Sequence, residues 1–139
     1  ENKNLKTLFY NDDGEVYREV VSHQVFLAVA YTARKNGAAF DLTYEPNCGH
    51  GQVEFRFSFD NEVVVVEFKL STHDRLLQGY QRQLQDYMDN EETQYGIYVV
   101  IEVEGGHSID RLISELGSLS PNKPVFRINA IRSVSSSRL

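Results

Sequence analysis

Hydrophobic and polar residues alternate strictly from Val53 to Phe59. Val53, Phe55, Phe57 and Phe59 point one way, and Glu54, Arg56 and Ser58 the other, as in a strand with one buried face. Asp60-Asn61 can form a two-residue hairpin turn. Val63 to Leu70 is then a nearly continuous apolar run, the pattern of a central strand covered on both faces. Upstream, residues 15–35 predict a helix. Val16, Val20, Leu27 and Tyr31 recur at helical spacing, and Val21, Val25 and Val29 widen the face into a largely buried one. Asn36-Gly37 supplies the stop, and residues 38–45 predict a short strand. Downstream, Ser71-Thr72-His73-Asp74 offers N-caps for a helix ending near Asp89. Residues 95–103 predict the next strand, 109–116 a short helix and 125–131 a last strand. Residues 1–14 read as an N-terminal extension or linker, 15–132 as the domain, and 133–139 as a loose serine-rich tail. The implied fold class is α/β: a mixed central sheet flanked by helices, with a core in αβββαβ order.

A turn at Asp60-Asn61 fixes the hairpin register: partner numbers sum to 121. Phe55 then meets Val66, Phe57 meets Val64, and Glu54 falls opposite Glu67. Directly opposed Cβ atoms lie about 4.5–5.5 Å apart, and like charges there are destabilising. Two glutamates so placed need a reason, and a bound cation is the simplest one. Mg²⁺ is held by one or two carboxylates, with waters and phosphate oxygens completing its shell. Lys69, two residues after Glu67, shares its face and could orient or deprotonate a water or offset charge on a phosphate. The structural alternative is that Glu67 and Lys69 simply pair with each other at the strand's exit.

Gln83 and Tyr87 are four apart on the following helix, on a stripe with Leu76 and Tyr80. An amide on an apolar stripe costs stability unless hydrogen-bonded, and the ends of the preceding strands offer partners. Tyr87 could contact nucleic acid or pack over the site; Gln83 as a boundary residue and Tyr87 as core are the plain alternatives.

Taken together, Glu54, Glu67-Phe68-Lys69 and Gln83-Leu84-Gln85-Asp86-Tyr87 resemble the PD-(D/E)XK nuclease superfamily, and the last segment resembles the Gln-hydrophobic-x-x-Tyr motif of its RecB-like exonuclease branch. The resemblance covers roughly residues 15–103. It implies Mg²⁺- or Mn²⁺-dependent hydrolysis of phosphodiesters, in DNA rather than RNA. Glu54 and Glu67 would be metal ligands, Lys69 the catalytic lysine, and Gln83 and Tyr87 auxiliary. Glu54 stands where the family more often has Asp after Pro. The family often adds a first-helix glutamate, for which Glu19 is the candidate, and RecB-like members can use a histidine, for which His23 is placed.

Composition adjusts this picture. The 139 residues are 41% hydrophobic and 24% charged, ordinary for one globular domain. The single cysteine, Cys48, excludes an intrachain disulfide framework and fits a reducing cytoplasm. No apolar stretch approaches a membrane span. The formal charge of −6 counts against a solitary nucleic-acid-binding module, since phosphate neutralisation usually supplies affinity. It counts less against a nuclease whose site is acidic until a cation arrives, and it suggests further domains or a second subunit with basic surface.

Arg56, Arg75 and Arg82 are candidates for the substrate path, with simple neutralisation or solvation as the alternative. Arg127, Arg132 and Arg138 make the C-terminal end locally basic. His50 sits in a glycine turn, His73 can cap a helix, and no His/Cys spacing suits zinc. Gly105-Gly106 lacks the ending of a phosphate loop. The expectation is a cytoplasmic nuclease domain of a larger restriction, repair or phage-defence protein, and the resemblance admits a homodimer. Two other classes stay open: an inactive nuclease fold kept for nucleic-acid binding or assembly, and a sensor of small phosphate compounds. Exonuclease and endonuclease action are not separated by these residues.

Overall fold

The hairpin predicted at Asp60-Asn61 organises the sheet. Both residues adopt positive φ, 49° and 66°, as a type I′ turn requires. The strands beside it, β2 (Glu54–Phe59) and β3 (Glu62–Leu70), pair antiparallel in the expected register, Phe55 with Val66 through Phe59 with Glu62. In the computed structural model the described residues are 7–17, 19–45, 54–116 and 121–132. The side chains of Glu19 and Glu54, the loop carrying Cys48 and His50, and the tail with Arg138 lie outside them.

The chain forms a mixed α/β fold with a five-stranded sheet in the order β1-β2-β3-β4-β5. β1 (Asp41–Glu45) pairs antiparallel with β2. β4 (Tyr95–Glu102) and β5 (Val125–Asn129) extend the other side in parallel, reached through helical crossovers. From Val65 to Leu70 every residue of β3 is buried, because strands flank it and helices cover both its faces.

One face carries helix α1 (Glu19–Lys35), whose Phe26 packs against Phe55, Phe57 and Phe68. The helix starts four residues later than its apolar pattern predicts, and its buried stripe differs. His23 and Ala30 are buried and Phe26 and Leu27 partly so, whereas Val29 and Tyr31 are exposed. Valines and alanines populate several sides of this helix, so the aromatic surface beneath selects the face. Gly37, at φ 103°, ends it: Gly37 N–H donates to Arg34 and Ala38 N–H to Ala33, the paired bonds of a Schellman cap.

The other face carries helix α2, residues 76–90, and α3 (Asp110–Leu116). α2 is not uniform. Leu76–Gln78 and Gln85–Asn90 are α-helical, while Gly79–Leu84 is a π-helical turn. Leu76, Tyr80, Leu84, Tyr87 and Met88 close over Val65, Tyr98 and Val100.

Residues 7–17 are built into the fold. A 3-10 turn (Thr7–Phe9) leads to a bridge between Tyr10 and Val16. The buried Tyr10 hydroxyl donates to the Ala130 carbonyl at 2.8 Å and accepts from Glu104 N–H at 3.1 Å. Among the described residues no helix is long and apolar enough to cross a membrane.

Candidate functional site

Alternation along β3 sends Val66 and Phe68 to the α1 side and Val65, Glu67 and Lys69 to the α2 side. Glu67 and Lys69 are 1% and 5% exposed. Lys69 Nζ lies 3.1 Å from Glu67 Oε1, so each charge is answered inside the protein. The adjacent strand places Tyr98 beside Glu67 and Val100 beside Lys69. The β2–β3 ladder runs from Phe55–Val66 to Phe59–Glu62; Glu54 is the residue just before it on β2, and its β1 neighbour is Glu45.

Gln83 lies in the π-helical turn of α2. Its Oε1 is enclosed and has no hydrogen-bond partner among the described residues, an arrangement that costs stability unless a bound group or water meets it. π-turns inside helices recur at functional sites.

The remaining candidates separate. Tyr87 is 5% exposed and belongs to the apolar core under α2, so its ring supports the site rather than facing a substrate. Arg56 shares the face of Glu67 but donates to Glu91 Oε2 at 2.9 Å. Arg75, at the N-cap of α2, and Arg82, on α2, are exposed. His23 is on the α1 side, opposite Glu67 and Lys69, its ring edge-on to Tyr44, Phe55 and Phe68 at 5.6–6.4 Å. Burial, helped by the charge of Lys69, holds its pKa down at about 4, and the imidazole is neutral. Glu19 is in the first turn of the same helix. His73 does not cap α2, whose N-cap is Arg75; its Nδ1 accepts Arg75 N–H at 3.1 Å in the turn before the helix, and burial first, then Lys69, lowers its pKa.

Two residues of the basic C-terminal end, the exposed Arg127 and the half-buried Arg132, form ion pairs within the fold. Arg127 donates to the buried Glu102 at 2.8 Å and to Asp110 at 2.6 Å, and Arg132 pairs with Glu104 and stacks on Tyr10. Glu102 faces the α2 side, as Glu67 does, and strand periodicity alone gave no sign of its partner. Gly106 also has a positional reason: a Cβ there would lie 2.0 Å from Ser71 Oγ, which accepts Val103 N–H. A cavity of about 470 Å³ near the hairpin turn, lined by Arg34, Phe40, Asp41 and Asp60, lies at the other end of β3 from Lys69 and contains no candidate residue.

No curated protein and no solved structure matches the chain. One family model does, over residues 1–105, a stretch that takes in α1 to β4 and with them Glu67, Lys69, Gln83 and Tyr98. With that span out of 139 residues, the chain belongs to the family described as Domain of unknown function (DUF8371).

Proposed function

We propose that this domain is a metal-dependent nuclease of the PD-(D/E)XK type that hydrolyses phosphodiester bonds in DNA. The observation that carries the reading is the buried Glu67–Lys69 pair on the central strand; continuing the β2–β3 register by one residue would bring position 54 beside it. Supporting it are the element order, the antiparallel β1-β2-β3 unit joined to a parallel β4 through α2, and the position of Gln83 on that helix.

The donor chemistry fits Mg²⁺ or Mn²⁺. Among the described residues no group of three or more His, Cys, Asp or Glu side chains gathers, but such ions need only one or two protein carboxylates, here Glu67 and Glu54, with Glu19 as a third candidate. A bound ion would supply a Lewis acid for a phosphoryl oxygen and a more acidic water. The protein's own part is electrostatic. Glu67 fixes the Lys69 amine, and that amine would offset the negative charge that grows on the phosphate. Gln83 offers an amide to water or phosphate. Arg75 and Arg82 are the exposed cations nearest along the chain for the backbone beyond the scissile bond. The lone Cys48 suits a reducing cytoplasm, and the charge of −6 suits a domain that works with further domains or a second copy in a restriction, repair or phage-defence protein.

A second reading is favoured by one observation. Glu67 and Lys69 are nearly inaccessible, which suits an inactive nuclease fold kept for nucleic-acid binding or assembly. Cleavage of plasmid and linear DNA, with RNA alongside, across a Mg²⁺ and Mn²⁺ titration separates the two. The nuclease reading expects cutting that Glu67→Ala and Lys69→Ala each abolish. DNA retained on the protein without cutting at any metal concentration supports the inactive module.

A further inference from the structure

Gly79 stands inside α2, where alanine would be the better helix former. What lies against it explains the choice. A Cβ there would be 2.6 Å from the Tyr98 hydroxyl oxygen, 3.4 Å from Tyr98 Cζ and 3.5 Å from Lys69 Cε. Only the first contact is impossible without movement. The same hydroxyl donates to the Leu76 carbonyl, three residues earlier on α2, at 2.7 Å. Tyr98 is fully enclosed and is the β4 neighbour of Glu67. One side chain therefore touches α2 at two places, next to the acid and next to the end of the lysine.

We propose that Tyr98 is a positioning residue for Lys69. Its hydroxyl, bonded to Leu76 and seated against the bare backbone of Gly79, sets how closely α2 lies over the sheet. That spacing fixes the slot in which the lysine's terminal methylene lies and from which its amine reaches Glu67 at 3.1 Å. The inference deepens the nuclease reading and rests on it for the role of the amine. Its geometry stands apart from that reading. Tyr98 acts through Lys69 and touches no substrate.

The test compares the wild-type chain with Gly79→Ala, Tyr98→Phe and the two combined. Removing the hydroxyl oxygen removes the 2.6 Å clash and leaves the ring carbon at ordinary contact, so Tyr98→Phe should rescue Gly79→Ala. The Gly79 N–H, which donates to the Arg75 carbonyl at 2.9 Å and is also directed at the Leu76 carbonyl, is untouched by loss of the hydroxyl. Two readouts are taken: kcat and KM for Mn²⁺-dependent DNA cleavage, and the Cε carbon resonance of Lys69 in protein labelled at lysine, identified by its absence in Lys69→Arg.

Gly79→Ala should lower kcat about 30-fold with KM nearly unmoved, and displace the resonance. The combined variant should return to within about threefold of Tyr98→Phe, with the Lys69 resonance where Tyr98→Phe places it; Tyr98→Phe itself should shift that resonance from its wild-type position, and an unmoved resonance there overturns the role of the hydroxyl. A combined variant no better than Gly79→Ala overturns the proposal, as does a Gly79→Ala protein with unchanged rate and resonance. Should Gly79→Ala not fold, the combined variant must fold and keep the Lys69 resonance of Tyr98→Phe; if it does not, the proposal fails. A wild-type protein that never cuts DNA, but whose resonances follow the expected pattern, sinks the nuclease reading and leaves the positioning intact.

Discussion

The α1 and α2 sides of β3 are built from alternate residues of one apolar run, yet they bury different chemistry. On the α1 side Phe68 meets Phe26 and Phe55 at centroid distances of 4.6 and 5.2 Å, and one neutral imidazole, His23, is held edge-on among rings. On the α2 side the same strand buries a carboxylate and an amine under a helix bearing a glycine, a π-turn and an amide oxygen with no partner among the described residues. Aromatic packing contributes to stability directly. A buried ion pair seldom does, because desolvation offsets most of its attraction. The α1 side therefore reads as the foundation, and the α2 side as the part for which stability has been given up.

The largest test separates the two sides by removing the pair in two ways. Glu67→Ala or Lys69→Ala leaves one buried charge unanswered and should cost about 3–5 kcal/mol in urea unfolding, along with all cleavage. Replacing both together, Glu67→Leu with Lys69→Met, should recover most of that stability and none of the cleavage. If the apolar double variant still cuts DNA, the comparison fails.

Next in size, Phe68→Ala opens a cavity on the α1 side and should cost about 3–5 kcal/mol of stability. Its kcat, measured where the variant is still folded, should stay near wild type, because the substitution is on the face away from Glu67. A kcat that falls with stability held constant would mean that the faces are coupled.

His23 gives the α1 side a pH dependence. Its pKa falls from 6.5 to about 4 on folding, so the unfolded chain binds more protons between those values. The contribution is complete above pH 6.5 and is lost as pH drops toward 4, on the order of 3 kcal/mol in all. His23→Phe should remove this slope from urea midpoints measured between pH 7 and pH 4.5, with no effect on cleavage at pH 7.5. A slope that survives the substitution belongs to another group.

The smallest effect concerns the turn that decides which residues reach which side. Asn61 holds φ 66°, so Asn61→Gly should stabilise the hairpin by about 0.5 kcal/mol in thermal unfolding. A loss of stability instead would mean that the Asn61 side chain contributes more than its strained backbone costs.

Much of this architecture was legible because strand signals are local. Alternation from Phe55 to Phe59 and a two-residue turn fix a register that the ladder keeps pair by pair. The meeting of Glu67 and Lys69 follows from their two-residue spacing on a buried strand. Other features depend on partners distant in sequence. The π-turn at Gly79–Leu84 leaves no mark on hydrophobic spacing, and Gly79 acquires its meaning only from Tyr98 on β4. Helical spacing alone puts His23 on the stripe of a candidate ligand, whereas its edge-on contacts with Tyr44, Phe55 and Phe68 come from strands distant in sequence. Polar composition concealed the role of residues 7–17, since one tyrosine, Tyr10, supplies their main anchor to the sheet.

That anchor bears on where the folding unit can be divided. The Tyr10 hydroxyl joins the carbonyl of residue 130 to the amide of residue 104, and Arg132 lies over its ring. A boundary drawn at residue 105, where the family match stops, would cut through this clasp, bare the outer edge of β4 and orphan Glu102. The first and last described segments behave as one buckle, and neither can be trimmed without loosening the other.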